Sequence, residues 1–168
     1  SSILGAAAAG ACQIIAIDLS DEKLELARSL GATHVINPSK VNTVEEVHAI
    51  TGNGVDYAFE MVGSVRALDS AVTIVKRGGV ITTAGLPPAG QTLAIDVAKF
   101  VGNELTLRGS YMGSCVRARD IPRYIALYKA GKLPIQKLMS HRIQLDEINE
   151  AFDVLHEAKA IRQVILWE

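Results

Sequence analysis

The strongest constraint on the fold is an alternation of short apolar runs with helical patterns through the first half of the chain. "CQIIAID", "THVIN", "GVDYAFEMVG" and "KRGGVITTAG" each read as a strand with its closing turn. The first is continuously apolar, as a strand covered on both faces must be. After it, Ser20 can cap a helix, Asp21 and Glu22 suit the positive end of that helix, and Gly31 suits its left-handed exit. Thr43 followed by Glu46 makes a capping-box pattern, with Val44, Val47 and Ile50 as an inward stripe. From about Ser64, Val65, Leu68, Val72 and Val75 recur at helical spacing. Strand–helix–strand units in this order imply right-handed crossovers and a parallel sheet with helices on both faces, the doubly wound α/β architecture.

The start of the chain is out of step with that order. "SSILGAAAAGA" reads as a helix already under way at Ser1, where a strand and a glycine-rich turn should come first. The expected fold is therefore a Rossmann-type parallel sheet lacking its first strand and glycine-rich loop. In the usual order that strand lies between the one ending at Asp18 and the one ending near Glu60. Its absence predicts two unpaired inner edges with backbone groups to satisfy, and the chain is expected to be part of a larger protein.

After "GLPPAGQ" the rhythm changes. "NELTLRGSYMG" reads as extended, and Asp120 with Pro122 opens a helix carrying Ile121, Tyr124, Ile125 and Tyr128 on one face, closed by Gly131. "MSHRIQL" reads as a strand, "DEINEAFDVLHEA" as an amphipathic helix and "IRQVILW" as a final strand. This tail departs from simple parallel alternation and reads as a piece of a second module. Residues 1–111 are assigned to the first domain and 112–168 to the second.

Composition narrows the function classes. The 168 residues are 49% apolar with a formal charge of −1, and no basic block suggests nucleic acid or an anionic membrane surface. No apolar run reaches the length of roughly 18 residues that a membrane span needs. Cys12 and Cys115 lie far apart without ligand spacing, which argues against a zinc site from this chain alone. They read as one buried strand thiol and one loop thiol in a reducing cytoplasm. His34, His48, His141 and His156 have neither metal-ligand spacing nor a nucleophile in a recognisable setting.

In a doubly wound sheet, ligands bind at the carboxyl ends of the strands. Asp18 sits at such an end. A carboxylate there can accept both ribose hydroxyls of an adenosine and repel a 2′-phosphate; equally, it can cap a helix or close a turn. Lys23 can reach back to the same ribose or stand as a solvated lysine. "TTAGLPP", with Gly85, can bring backbone groups close to a flat ligand or serve as a rigid loop. Glu60 reads as structural rather than as a general base, and Met61 and Val62 as apolar contacts or core.

Taken together, "IIAIDLSDEKLELARSLGATHVINP", "GVDYAFEMVG", "KRGGVITTAGLPP" and "AIRQVIL" resemble the medium-chain, zinc-dependent alcohol dehydrogenases. "GSYMGSCVRARDIPRYIALYKAGKLP" and "LDEINEAFDVLHEAKAIRQVIL" are similar to the closing part of that family, which places a boundary near Tyr111. The resemblance runs in order along the whole chain. It implies NAD as cofactor, with Asp18 on the adenosine ribose, Lys23 assisting it, and Leu19 and Val62 lining the adenine pocket. Ala84, Gly85 and Leu86 match the segment beside the nicotinamide, Ser110 and Met112 the other backbone stretch holding its carboxamide. Arg162 matches an arginine that reaches the pyrophosphate.

The resemblance also implies a homodimer through the Thr106–Tyr111 edge strand, an alcohol or aldehyde as substrate, and zinc ligands lying outside this chain. The chain by itself is expected to be inactive, since that chemistry needs zinc to polarise the alcohol oxygen. Two other readings are weighed. One is an S-adenosylmethionine-dependent methyltransferase, which also places an acid after its second strand. The other is a noncatalytic nucleotide-binding or dimerisation module.

Overall fold

The computed structural model describes residues 1–157 and 159–167. The elements in chain order are α1 (Ser2–Ala8), β1 (Ile15–Ile17), α2 (Asp21–Ser29), β2 (His34–Ile36), α3 (Thr43–Thr51), β3 (Val55–Glu60), α4 (Val65–Ile74) and β4 (Val75–Thr83). Then come α5 (Val97–Gly102), β5 (Thr106–Gly109), α6 (Arg117–Lys129), β6 (His141–Ile143), α7 (Ile148–His156) and β7 (Gln163–Ile165).

All the strand pairs are parallel, as the alternation of elements predicts. β1 pairs with β2, and β3–β4–β5 forms a second sheet in that order. Among the described residues no ladder joins β1 to β3, so the sheet breaks where the sequence reading places its unpaired edges.

Side-chain alternation shows how the layers are filled. Ile15 and Ile36 pack with Val47 of α3, Ala71 and Ile74 of α4, Ala58 and Ile81. Their strand neighbours Ala16 and Val35 pack instead with Leu24 and Ala27 of α2 and with Ile3 and Ala6 of α1. Because successive strand residues point to opposite faces, α3 and α4 cover one face while α1 and α2 cover the other. A third cluster, Leu4, Leu30 and Leu138, fastens the segment before β6 to α1 and α2. Lys137 adds a bond to the Ser29 carbonyl at 3.2 Å.

Local signals were read correctly at several boundaries. Ser20 and Ser64 cap α2 and α4, and Gly31 and Gly131 take φ of +112° and +70°. Others are corrected. Asn42, not Thr43, caps α3: its side chain accepts from the amides of Val44 and Glu45. An amide side chain one residue earlier thus displaces the predicted Thr43–Glu46 box, and Thr43 becomes the first helical residue. Val75 starts β4 rather than ending a helical stripe, and the "KRGG" turn is an irregularity within that strand. Cys12 is exposed, not buried, since β1 begins only at Ile15.

The tail also departs from expectation. β6 and β7 pair in parallel across α7, so the alternation returns there. α7 begins after a 3-10 turn (Leu145–Glu147), whose Gln144 and Glu147 form a reciprocal capping box. The predicted helical run continued to Ala158, which lies outside the described residues. α6 starts at Arg117, with Pro122 inside it rather than at its opening. The reason is Asp120: its Oδ2 accepts from the Val116 amide at 2.8 Å, while Arg119 grips both oxygens at 2.7 and 3.0 Å.

One close approach brings two strand-end loops together. Gly63 has φ of +78°, and a Cβ there would stand 2.7 Å from the Leu86 carbonyl carbon and oxygen. A Cβ on Gly85 would overlap the Gly63 amide nitrogen. Gly85→Ala is therefore expected to destabilise the fold by about 2–3 kcal/mol, since backbone must shift to admit the methyl group. A wild-type denaturation midpoint for that variant would refute the packing described.

The α6 cap has a pH signature. Bonds from Arg119 first, and from the Val116 amide second, lower the Asp120 carboxyl from 3.8 to about 2. A depressed folded-state pKa stabilises the fold above the unfolded value, and that contribution is lost as pH falls through the folded one. Asp120→Asn should lower stability at neutral pH and flatten the loss of helicity from about pH 4 downward. Superimposable acid-unfolding curves would contradict this.

Candidate functional site

Several candidate site residues stand at or just beyond the carboxyl ends of strands, Asp18 after β1, Val62 after β3, Ala84, Gly85 and Leu86 after β4 and Ser110 after β5, whereas Lys23 lies in α2 and Arg162 precedes β7. Asp18 follows β1, and its amide extends the ladder by bonding the Ile36 carbonyl at 3.2 Å. Its Oδ1 accepts from the Ser20 amide at 2.9 Å. That bond orients the half-buried carboxylate and leaves Oδ2 without a protein partner among the described residues. Lys23 lies in the first turn of α2, its amide capped by Ser20 at 3.4 Å. Asp18 and Lys23 line one cavity of about 310 Å³, walled by Ile3, Leu26, Leu30, Leu138 and Ile161. An anion-attracting ammonium and a hydrogen-bond-accepting carboxylate on apolar walls suit a sugar attached to a flat base.

Asn37 is a residue that sequence reasoning missed. It is 8% exposed, at the end of β2, where it was read only as a strand closed by Pro38. Its Nδ2 donates to the Leu19 carbonyl at 3.0 Å and to Asp21 Oδ1 at 2.8 Å. Its Oδ1 accepts from the amide and hydroxyl of Ser39. Asn37 thus pins the turn that carries Asp18. Bonds from Lys40 first and Asn37 second hold the Asp21 carboxyl below its ordinary range. The legible signal was a lone amide side chain closing an apolar strand beside a proline.

The second group lies at the ends of β3, β4 and β5. Glu60 is 4% exposed. Its Oε1 accepts from the amides of Val62 and Gly63, both at 2.7 Å, and from Ser64 at 3.4 Å. Its Oε2 accepts from the Thr83 hydroxyl at 2.8 Å. Burial pushes the Glu60 pKa up, but those bonds from Thr83, Gly63, Val62 and Ser64 outweigh it and hold the group below the usual carboxylate range. The structural reading of Glu60 therefore holds: every bond it makes stabilises its ionised form, and it is no base.

Ala84 and Gly85 donate their amides to the Glu60 carbonyl, and the Ser110 amide donates to Thr83. Val62, Ala84, Gly85, Leu86 and Ser110 thereby stand on adjoining loops. Val62 and Leu86 project outward, 77% and 76% exposed, leaving apolar surface beside the strand ends. Met112 follows in a 3-10 turn (Met112–Ser114) with φ of +49°, and Gly113 and Ser114 are also left-handed at +70° and +51°. Two non-glycine residues in that region mark a strained turn, of the kind found where backbone serves a ligand. The Ser110 and Ser114 hydroxyls close it at 3.3 Å.

Arg162 lies just before β7, at the amino end of that strand. Its carbonyl accepts from the amide and hydroxyl of Ser140, while Ser140 Oγ in turn accepts the amides of Ile161 and Arg162. Its neighbour Ile161 lines the Asp18 cavity, whereas Arg162 itself is not among the lining residues. Leu19 is 71% exposed and outside that cavity's lining. No hydrogen bond joins this group to the Glu60 group among the described residues.

Among the described residues no cluster of three or more His, Cys, Asp or Glu side chains could hold a metal ion. That described donor set does not fit a zinc ion. Among the described residues no helix is long and apolar enough to cross a membrane.

With this geometry in view, comparison with known proteins gives a consistent answer. Residues 2–130 match the family model described as zinc-binding dehydrogenase. A benzyl alcohol dehydrogenase from Acinetobacter calcoaceticus superposes with a TM-score of 0.93 at 35% identity, covering 98% of this chain and 45% of that one. An alcohol dehydrogenase zinc-binding domain protein from Burkholderia ambifaria gives 0.94 at 32% identity, covering 99% and 45%. A putative zinc-binding dehydrogenase from Sinorhizobium meliloti 1021, solved bound to NADP, gives 0.85 at 28%, covering 98% and 48%. The chain therefore spans somewhat under half the length of these solved structures. Its parallel sheet, its acidic residue at the end of β1 and its match over residues 2–130 agree: the chain belongs to the zinc-binding dehydrogenase family.

Proposed function

We propose that this chain forms the cofactor-holding part of an NAD-dependent, zinc-dependent alcohol dehydrogenase. The observation that carries the reading is Asp18. Its carboxylate is oriented by the Ser20 amide, keeps one oxygen free, and shares an apolar-walled cavity with Lys23. Asp18 then accepts the ribose hydroxyls, and its charge disfavours a 2′-phosphate. Lys23 supports the same sugar, and Leu19 and Val62 flank the adenine. Ala84, Gly85 and Leu86 face the nicotinamide, with Ser110 and Met112 on its carboxamide and Arg162 on the pyrophosphate. When bound, the nicotinamide supplies the hydride acceptor; this chain holds and orients it.

The described donor groups do not fit zinc, so in this reading the zinc ligands come from elsewhere in the whole protein and the chain alone is inactive. The substrate is an alcohol, aldehyde or ketone. Family membership favours hydride transfer over methyl transfer. A boundary near Tyr111, between cofactor and catalytic domains, and a place in the reducing cytoplasm belong to the same proposal.

Asp18→Gly in the full-length protein should reduce the preference for NAD over NADP by roughly tenfold to a hundredfold, the value of charge-assisted bonds lost with the repelling charge. Unchanged kcat/KM ratios for the two cofactors would refute the assignment.

β5 is an outer strand of its sheet, and an open edge in a folded protein needs cover. We propose that Thr106–Tyr111 pairs with a second copy. Sedimentation of the full-length protein should show a dimer, and a single monomeric species at micromolar concentration would overturn this.

A further inference from the structure

We propose that Glu60 is a positioning residue for the dinucleotide: it acts on the cofactor through the two loops it holds and touches no reacting atom. The inference rests on the dinucleotide-binding reading above. Glu60 reaches the strand-end segments through both its side chain and its main chain. Through its side chain, Oε1 gathers the amides of Val62, Gly63 and Ser64 from the loop after β3, while Oε2 takes the Thr83 hydroxyl at the end of β4. Through its main chain, its carbonyl accepts from Ala84 and Gly85 in the loop after β4.

A buried carboxylate tolerates no loose geometry, because each lost bond leaves a desolvated charge. Three successive amides turned onto one oxygen therefore hold the Met61–Ser64 segment in one curl. The contact of Gly63 with Gly85 and Leu86 then transmits that curl across, since neither loop can shift without meeting the other's backbone. Thr83 extends the tie to β5, because its carbonyl accepts the Ser110 amide at 2.8 Å. The Glu60 side chain thus holds the ends of β3 and β4, and main-chain bonds from Glu60 and Thr83 carry the tie to the loop after β4 and to the end of β5. None of this depends on Glu60 accepting a proton from a substrate, as both its oxygens are already engaged.

The test uses full-length protein and fluorescence titration with NADH, at temperatures well below each variant's melting midpoint. Glu60→Ala leaves three amides and a hydroxyl without their acceptor and should weaken NADH binding by about tenfold or more. Thr83→Val removes only the tie to β4 and should weaken it by about threefold. Glu60→Gln keeps the acceptor oxygen and side-chain shape and should remain within about twofold of wild type.

A folded Glu60→Ala protein that melts lower but binds NADH with wild-type affinity would reduce Glu60 to a stabilising role and overturn the proposal. So would a Glu60→Gln protein as weak as Glu60→Ala. If Glu60→Ala does not fold, Thr83→Val decides: unchanged affinity overturns the proposal and weakened affinity supports it. Wild-type protein that binds neither NADH nor NADPH would overturn the dinucleotide reading itself and the proposal with it. That result differs from failure of the Glu60 inference alone, in which wild type binds and the variants bind equally well.

Discussion

The placement of the strand ends depends on one side-chain cluster shared by both groups of strands and the helices over them. β1–β2 and β3–β4–β5 share no ladder among the described residues, and Ile15, Ile36, Ala58 and Ile81 pack in one cluster with Val47 of α3 and with Ala71 and Ile74 of α4. Val47 and Ile81 are wholly removed from solvent. Close packing of this kind is rigid, because interiors have little free volume to give. It sets where the strand ends lie, and with them Asp18 and Glu60. The opposite face of β3 is open by contrast: Tyr57 and Phe59 are 63% and 55% exposed.

Upon that core stand two polar knots, one at each group of strand ends. Asn37 gathers the turn carrying Leu19 and Asp21, and Glu60 gathers the loops carrying Val62 and Gly85. Both are buried, and both satisfy their hydrogen-bonding capacity largely with loop groups. Loops are where backbone polar groups most need partners, so a buried polar side chain at a strand end gives them a defined shape. The knots leave free the atoms proposed to face the cofactor: one oxygen of Asp18 and the exposed side chains of Leu19, Val62 and Leu86. Separation of scaffold residues from contact residues explains why such a site can be built largely from main chain.

Much of this was legible from the residues. Apolar runs separated by capped amphipathic patterns dictate parallel strands, and Asp18 at the end of "QIIAID" follows from where the apolar run stops. Ser20, Gly31 and Ser64 were legible because capping and left-handed exits are local chemistry. The boundary errors share a cause. The choice between Asn42 and Thr43 as cap, the start of α6 at Arg117 and the β4 irregularity around Gly78 each turn on which of two nearby options the backbone takes, a choice that the residue pattern leaves open. Asn37 escaped notice because its bonds run to Asp21, 16 residues away, a partner that local pattern cannot reveal.

The sequence by itself determined the order and type of elements, the parallel architecture, the family and the positions of the acidic and glycine residues at the strand ends. These follow from periodicity and turn chemistry, which act over a few residues. Only the tertiary structure decided which groups meet. It tied Arg162 to Ser140, put Lys23 and Ile161 into one cavity with Asp18, and joined two strand ends through Glu60. Such meetings depend on how side-chain clusters seat one element against another. That information is held by the packed chain as a whole and by no single stretch of it.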